Sequence, residues 1–181
     1  MKKTFLLFAI SMATTTLFAQ KKTTTSAKII FDATTPKDAL PKAENKTVVA
    51  ALNTKTGKLA FEAIMKSFAF SNPTIQQHFN EKKWLDTEQY PTATFKGKIN
   101  NTSAINFKKD GIYPAEVQGD LSIHGKTQPV KTTGKIEVNG KKITASADFT
   151  IKLEEFDIKG GAITGGKVAA EPKISVMAEF K

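Results

Sequence analysis

Apolar and polar residues alternate with a period of two along much of this chain, and no other feature constrains its fold as strongly. In residues 112–124 the odd positions are mostly apolar and the even positions mostly polar, and residues 142–153 repeat the pattern. Residues 130–138 also alternate, with the apolar residues mostly at even positions. A period of two places successive side chains on opposite faces of a strand. The sequence therefore predicts three strands, each with one apolar face.

The turn between the second and third of these strands predicts their register. Asn139-Gly140 favours a two-residue type I′ hairpin, in which both central residues have positive φ. This turn pairs Ile136 with Ile143, so that apolar side chains lie opposite each other. A slip of one residue would reverse every side chain, so we predict that the two strands share an apolar face.

A second turn connects the first two strands of this meander. Gly125-Lys126 places glycine first, as a two-residue type II′ turn prefers. The predicted register then pairs Leu121 with Val130, and again the apolar faces coincide. Together the two turns predict an antiparallel meander with one continuous apolar face.

Five further strands and one helix complete the predicted elements. The helix follows Asn72-Pro73, because asparagine caps helices and proline suits the first helical turn. The strands are runs of β-branched and aromatic residues bounded by turn residues. They cover residues 27–33, 47–53, 57–69, 92–100 and 172–181. Eight strands and one short helix indicate an all-β domain, either a closed antiparallel barrel or a sandwich.

The lengths of the strands and the sizes of the inward residues favour a barrel with an interior cavity. Several predicted strands reach about twice the usual length, which favours a barrel. Many inward positions hold alanine or glycine, which leaves room inside eight strands; alternatively, the glycines permit bends and large neighbours fill the interior. Apolar walls predict an apolar ligand. The predicted pocket residues are Phe61, Phe68, Phe79, Trp84, Phe95, Tyr113, Leu121, Ile136, Phe149 and Val176.

Composition and spacing argue against several kinds of catalytic or metal site. The chain has no cysteine, which excludes disulfides, thiolate metal sites and cysteine nucleophiles. His78 lacks a second histidine four residues away, and His124 reads as a solvent-facing turn residue. No serine has a GxSxG context, and the acidic residues 154–157 read as a solvated loop. We therefore predict no catalytic residue, metal or cofactor, and a protein that is not an enzyme.

The first 19 residues have the pattern of a secretory signal peptide. Two lysines precede an apolar stretch from Phe5 to Leu17, and Ala19 stands at a plausible cleavage point. Without a cysteine after the cut there is no lipid anchor, so we expect a periplasmic or secreted protein. Residues 20–25 are predicted to be a polar tether, and residues 26–181 to form the single domain.

Lysine dominates the charge of the chain, which is +10 with no arginine. These lysines are distributed over outward positions of several predicted strands, which favours a solvated surface and protects strand edges from pairing. Nucleic-acid binding would need exposed aromatic residues between the lysines, so no nucleic-acid partner is expected. The remaining alternative is a Lys-rich surface that binds an anionic polymer or a protein partner in the cell envelope.

Three stretches of the chain resemble the YceI-like family of secreted bacterial proteins. They are WLDTEQYPTATFKG at 84–97, GDLSIHGKTQPV at 119–130 and FTIKLEEFDI at 149–158, in the same order as in the family. The resemblance implies a lipocalin-like eight-stranded antiparallel barrel that holds an elongated polyisoprenoid or other lipid chain. Residues 61–79 depart from the commonest members, in which a His-containing strand and a Gly-rich turn precede the helix.

Two functional hypotheses from different classes follow. In the first, the barrel sequesters or carries an apolar ligand, such as a polyisoprenoid, a quinone or another lipid, and makes transient contact with envelope membranes. In the second, a filled barrel binds an envelope partner through its lysine-rich surface. Either protein is expected to be a monomer or a homodimer.

Overall fold

The strands form a single antiparallel sheet in the computed structural model, which describes residues 20–180. The predicted signal peptide, residues 1–19, lies outside the described residues. Nine strands are present in the described part of the chain, and their bounds follow. They are β1 (Lys21–Asp32), β2 (Lys42–Asn53), β3 (Lys58–Ile64), β4 (Ala69–Phe70), β5 (Thr92–Ile99), β6 (Gly111–Ile123), β7 (Lys126–Asn139), β8 (Lys142–Thr150) and β9 (Lys173–Phe180).

Eight of these strands close into a barrel. The order around it is β1-β2-β3-β5-β6-β7-β8-β9, and β9 returns to pair with β1 over Lys28–Asp32. The ninth strand, β4, pairs with β2 beside Ala43 and Glu44, outside the closed ring. All of these pairs are antiparallel. The predicted eight-stranded antiparallel barrel is confirmed, and β4 is an addition to it.

The single strand predicted over residues 57–69 is interrupted. β3 ends at Ile64, a 3-10 turn covers Met65–Ser67, and β4 follows. At the break, Nδ2 of the fully buried Asn45 donates to the carbonyl oxygen of Ile64 (3.0 Å). The backbone N–H of Met65 donates to the carbonyl oxygen of Pro91 (2.8 Å). These bonds replace the strand ladder, so the chain can turn without losing hydrogen bonds.

The polar tether predicted at residues 20–25 is wrong. Lys21 begins β1 and pairs with Asn53, and Thr24 pairs with Ala50. Threonine has a high propensity for strands, and the free edge of β2 supplies hydrogen-bonding partners for this segment. The barrel therefore begins at Lys21, five residues earlier than the domain start at residue 26 that we predicted.

The predicted register of the β6–β7 hairpin is shifted by two residues. Ile123 pairs with Lys126, so the central residues are His124 and Gly125, and Leu121 lies opposite Gln128. Both central residues have positive φ, 51° and 71°, which is the type I′ pattern. A shift of two residues preserves the face on which each side chain lies, so the predicted apolar face is retained.

The β7–β8 hairpin is shifted by two residues as well. Asn139 pairs with Lys142, which makes Gly140 and Lys141 the central residues. Positive φ occurs at Gly140 alone (58°), so the turn has the type II′ pattern instead of the type I′ pattern that Asn139-Gly140 predicted. The backbone N–H of Gly140 donates to Oδ1 of Asp110 (2.8 Å), which ties this turn to the loop before β6.

The predicted helix is present as α1 (Pro73–Asn80) and covers one end of the barrel. Oδ1 of Asn72 accepts hydrogen bonds from the backbone N–H groups of Thr74 (2.9 Å) and Ile75 (3.3 Å). Phe79 of α1 packs against the rings of three other phenylalanines. They are Phe31, Phe68 and Phe70, with ring centroids 4.8–6.0 Å from that of Phe79.

Additional helical structure occurs outside the predicted helix. A second helix, α2 (Gly161–Thr164), consists of a single turn and lies in the long segment between β8 and β9. Among residues 20–180, no helix has both the length and the apolar character needed to cross a membrane.

The opposite end of the barrel is closed by packed side chains. It carries the turn at residues 54–57, the loop at residues 100–110 and the turn at residues 140–141. Large apolar residues of the adjoining strand ends are buried there. They are Leu52, Ile99, Val138, Ile143 and Phe180. The hydrophobic core therefore fills this end, whereas the middle of the barrel is hollow, as described below.

We expect replacement of Asn45 to destabilise the barrel. Asn45→Ala leaves the carbonyl oxygen of Ile64 without its partner and removes the acceptor of the Thr47 N–H and hydroxyl. A buried polar group that loses its partner costs about 1–3 kcal/mol. Urea unfolding measures this change, and exposed Asn100→Ala is the control, with an expected change below about 0.5 kcal/mol. Equal stabilities of the two variants would contradict the role given to Asn45.

Acid should weaken the closure of β1 on β2. Lys42 Nζ lies 2.8 Å from Asp32 Oδ2, and its hydrogen bond holds the pKa of Asp32 below its ordinary value, aided by Thr34. A lowered pKa in the folded state stabilises the fold above the unfolded pKa, and this stability is lost as pH falls through the folded value. Urea unfolding below about pH 4 should show a smaller pH dependence in Asp32→Asn than in wild type. An unchanged dependence would exclude this contribution.

Candidate ligand-binding cavity

An apolar cavity of about 150 Å³ lies inside the barrel. Its walls come from strands β1, β3 and β5 to β9, and α1 and the segment after β8 cover one end. The barrel produces this arrangement because alternation turns one face of every strand inward. The lining is almost entirely apolar, so the cavity excludes charged groups and favours a hydrocarbon.

The hollow part of the barrel is marked by inward side chains that are only half-buried. Phe61, Phe95, Leu121, Phe149 and Val176 all line the cavity and all retain partial exposure. Side chains in a filled core would be fully buried. These five residues therefore face empty space at the centre of the barrel.

Nine of the ten predicted pocket residues line the cavity, and Tyr113 does not. The nine are Phe61, Phe68, Phe79, Trp84, Phe95, Leu121, Ile136, Phe149 and Val176. Tyr113 is the third residue of β6, and its hydroxyl donates to the carbonyl oxygen of Lys109 (2.9 Å) in the adjoining loop. Its place near the closed end separates it from the hollow. Whether the nine residues contact a ligand stays a prediction.

The sequence analysis missed two groups of lining residues. Ile29 and Phe31 of β1 point inward, and alternation within the predicted strand 27–33 is the signal that identifies them. The second group lies in the segment after β8, which contains the end of the predicted strand 142–153 and the acidic residues 154–157. Its lining members are Ile151, Leu153 and Ile158. Apolar residues between the acidic ones are the signal here: the segment folds its apolar side chains over the end of the barrel while its carboxylates face water.

Gly97 and Gly119 do not leave room for a ligand. They lie opposite each other on β5 and β6, and a Cβ atom on Gly119 would lie 2.5 Å from the Cα of Gly97. The ring of Phe95 covers both, with Cζ 2.7 Å from either added Cβ. At these positions the alternative expectation holds, because a large neighbour fills the space above the glycines.

The cavity lining includes Thr132, whose hydroxyl is hydrogen-bonded within the protein. Oγ1 of Thr132, a lining residue, lies 3.2 Å from the carbonyl oxygen of Asp148, to which it donates. Among the described residues, no buried side-chain nitrogen or oxygen lacks a partner. Because the lining is almost entirely apolar, contact with apolar surface is the main source of affinity that the cavity offers to a ligand.

The perturbed carboxylates lie outside the cavity. A hydrogen bond from Ser175 lowers the pKa of Asp148, with help from Lys173, and a hydrogen bond from Lys159 lowers the pKa of Asp157. Both carboxylates are exposed. No group of three or more His, Asp or Glu side chains within residues 20–180 is arranged to hold a metal ion.

The segment that covers the cavity is connected to the β6–β7 hairpin. Nδ1 of His124 donates to the carbonyl oxygen of the buried Phe156 (3.0 Å), and the His124 ring packs edge-on against Tyr90. The sequence predicted a solvent-facing turn residue, but His124 also connects two parts of the structure.

A Cβ atom on Gly160 would lie 3.2 Å from Nε1 of Trp84, so this glycine permits the close approach of the Trp84 ring at the cavity end.

The family model for the YceI-like domain matches residues 9–180 of this chain. The chain belongs to the YceI-like family. Curated relatives include a UPF0312 protein of Pseudomonas putida strain F1, 34% identical over 116 residues, and one of Pseudomonas fluorescens strain SBW25, 31% identical over 116 residues. Each match covers 61% of this chain and 57% of the relative, so the chain matches little more than half the length of these proteins.

Two solved structures share the fold of this chain. A polyisoprenoid binding domain from Saccharophagus degradans, implicated in plant cell wall breakdown, has a TM-score of 0.74 and 11% identity, over 90% of this chain and 98% of that domain. BcnA of Burkholderia cenocepacia has a TM-score of 0.68 and 21% identity, over 84% of this chain and 96% of that protein. At these identities the likeness establishes the fold.

Proposed function

We propose that this protein is a non-enzymatic binding protein that sequesters or carries an elongated apolar ligand, such as a polyisoprenoid, a quinone or another lipid, inside its barrel. The observation that carries the proposal is the cavity inside the barrel, whose lining is almost entirely apolar. Transfer of apolar surface from water contributes about 25 cal/mol per Å². The description of the Saccharophagus degradans domain as polyisoprenoid binding supports the same class of ligand.

The volume of the cavity limits how much of a ligand it encloses. Its 150 Å³ is below the range of about 300–1,000 Å³ that is usual for ligand sites. A cavity of similar volume in another protein accepts benzene. An elongated ligand therefore places only a short apolar segment in the cavity in its present form, and the remainder extends past the side chains at the α1 end.

Export to the periplasm or beyond is part of the proposal. The basic, apolar and small-residue regions of residues 1–19 support it, because this order is typical of a secretory signal peptide. Cell fractionation combined with the intact mass of the purified protein tests it. Recovery from the cytoplasm with residues 1–19 retained would contradict export.

Native mass spectrometry tests occupancy directly. We expect protein purified without detergent from its host to carry a noncovalent adduct of several hundred daltons that passes into an organic extract, because a hydrocarbon in an apolar cavity dissociates slowly into water. The same spectra report whether the protein is a monomer or a homodimer. No adduct, together with no binding of a polyisoprenoid series in a fluorescence assay, would reject the proposal.

Filling the cavity should weaken ligand binding without unfolding the barrel. Ala147 lines the cavity on β8, whereas Ala60 faces outward on β3 opposite Lys96, so Ala147→Leu and Ala60→Leu form a matched pair. We expect Ala147→Leu to weaken binding of a fluorescent isoprenoid at least roughly tenfold, since lost burial costs about 0.8 kcal/mol per methylene. Ala60→Leu should bind like wild type. Thermal unfolding confirms that both variants fold, and equal affinities would place the ligand outside the cavity.

A further inference from the structure

The positive charge of the described residues is concentrated at one end of the barrel. We define the basic end as the residues of the closed end: residue 20, the loops 54–57, 100–110 and 140–141 with the two strand residues that adjoin each, and the last two residues of β9, Glu179 and Phe180. It contains nine lysines and two carboxylates, Asp110 and Glu179, for a net charge of +7. The lysines are Lys21, Lys22, Lys55, Lys58, Lys98, Lys108, Lys109, Lys141 and Lys142.

The other end of the barrel is almost neutral by the same definition. The segments 33–41, 65–91, 124–125 and 151–172, with the two strand residues that adjoin each, contain ten lysines and nine carboxylates, a net charge of +1. Residues 20–180 together contain 24 lysines and 17 carboxylates, also +7. The excess positive charge therefore lies at one end of the barrel and is not spread evenly over its surface.

Most lysines of the basic end form no ion pair with a described residue. Lys142 forms an ion pair with Glu179 (2.6 Å), and the other eight form no ion pair with a described residue. Lys58 and Lys98 lie directly opposite each other in the register of β3 and β5. Like charges in this arrangement destabilise a sheet, so their presence suits an external anionic partner better than it suits the fold.

An exposed apolar side chain lies within the basic end. Ile112 is 66% exposed, the highest value among the exposed large hydrophobic residues in the described part of the chain. It is the second residue of β6 and follows the loop that carries Lys108 and Lys109. An end that carries both lysines and an exposed aliphatic side chain matches the boundary between lipid headgroups and acyl chains, where charge and apolar contact both contribute.

We propose that the basic end docks on an anionic lipid membrane, with its lysines at the headgroups and Ile112 at the acyl boundary. Each lysine near an anionic leaflet strengthens partitioning about fivefold, and salt screens the effect. Because the α1 end is opposite, the bound protein holds the covered end of its cavity away from the membrane. A soluble anionic polysaccharide would use the lysines but would not need Ile112. The proposal rests on charge and exposure and does not depend on the cavity being occupied.

Vesicle binding compares the two ends of the barrel. The full chain is expressed with residues 1–19, so that any processing occurs as in the cell, and is mixed with vesicles of phosphatidylcholine alone or with one fifth phosphatidylglycerol. The test variant reverses Lys55, Lys58, Lys108 and Lys109 to glutamate. The matched control reverses Lys82, Lys83, Lys152 and Lys167, which are equally exposed at the other end. Both variants change the net charge by the same amount, and thermal unfolding confirms that they fold.

We expect wild type to bind the anionic vesicles and not the neutral vesicles. Binding should be lost in 0.5 M salt, where the screening length falls to roughly 4 Å. The test variant should bind the anionic vesicles at least roughly tenfold more weakly than wild type. The affinity of the control variant should change by less than about threefold. Ile112→Ser should also weaken vesicle binding. Equal losses in both charge variants would overturn the proposal, as would failure of wild type to bind. Binding to alginate in solution that is insensitive to Ile112→Ser, without vesicle binding, would assign the basic end to a polyanion instead.

Discussion

The pairing of β9 with β1 is the contact on which the rest of the structure depends. It joins the two ends of the sheet over Lys28–Asp32 and turns an open meander into a barrel. Closure satisfies backbone groups that would otherwise form exposed edges. It also converts the apolar face of every strand into an interior, which is why a chain with a simple period-two pattern contains a cavity. The ion pair between Asp32 and Lys42 lies at the end of the same segment.

The two ends of this barrel differ, and the difference organises the functional proposals. At one end, packed residues such as Phe180 close the interior, and the surface carries nine lysines and the exposed Ile112. At the other, α1 and the segment after β8 cover the hollow with phenylalanine, Trp84 and leucine side chains. The apolar interior supports the proposed ligand binding, and the charged closed end supports the proposed membrane attachment without blocking the covered end. The two properties occupy separate residues, so each can be altered alone.

Local pattern predicted the faces of the strands better than their pairing. Both hairpins shift by two residues from the predicted register, yet Leu121 and Ile136 still point inward, because the period of two is unchanged by an even shift. The turn type was not predictable from Asn139-Gly140 alone, since the hydrogen bond from Gly140 to Asp110 involves a residue 30 positions away. The break after Ile64 likewise depends on Asn45 from a neighbouring strand.

The sequence by itself determined the fold class, the inward face of each strand, α1 with its Asn72 cap, and nine residues that line the cavity. These features depend on the period-two alternation of apolar side chains and on contacts between residues close in sequence. Both can be identified from the sequence alone. Only the tertiary structure decided that the barrel begins at Lys21, that Phe95 fills the space above Gly97 and Gly119, and that the hollow is 150 Å³. It also decided that the excess lysines gather at one end. These properties depend on which distant segments meet when the sheet closes, and hydrophobic period carries no information about that.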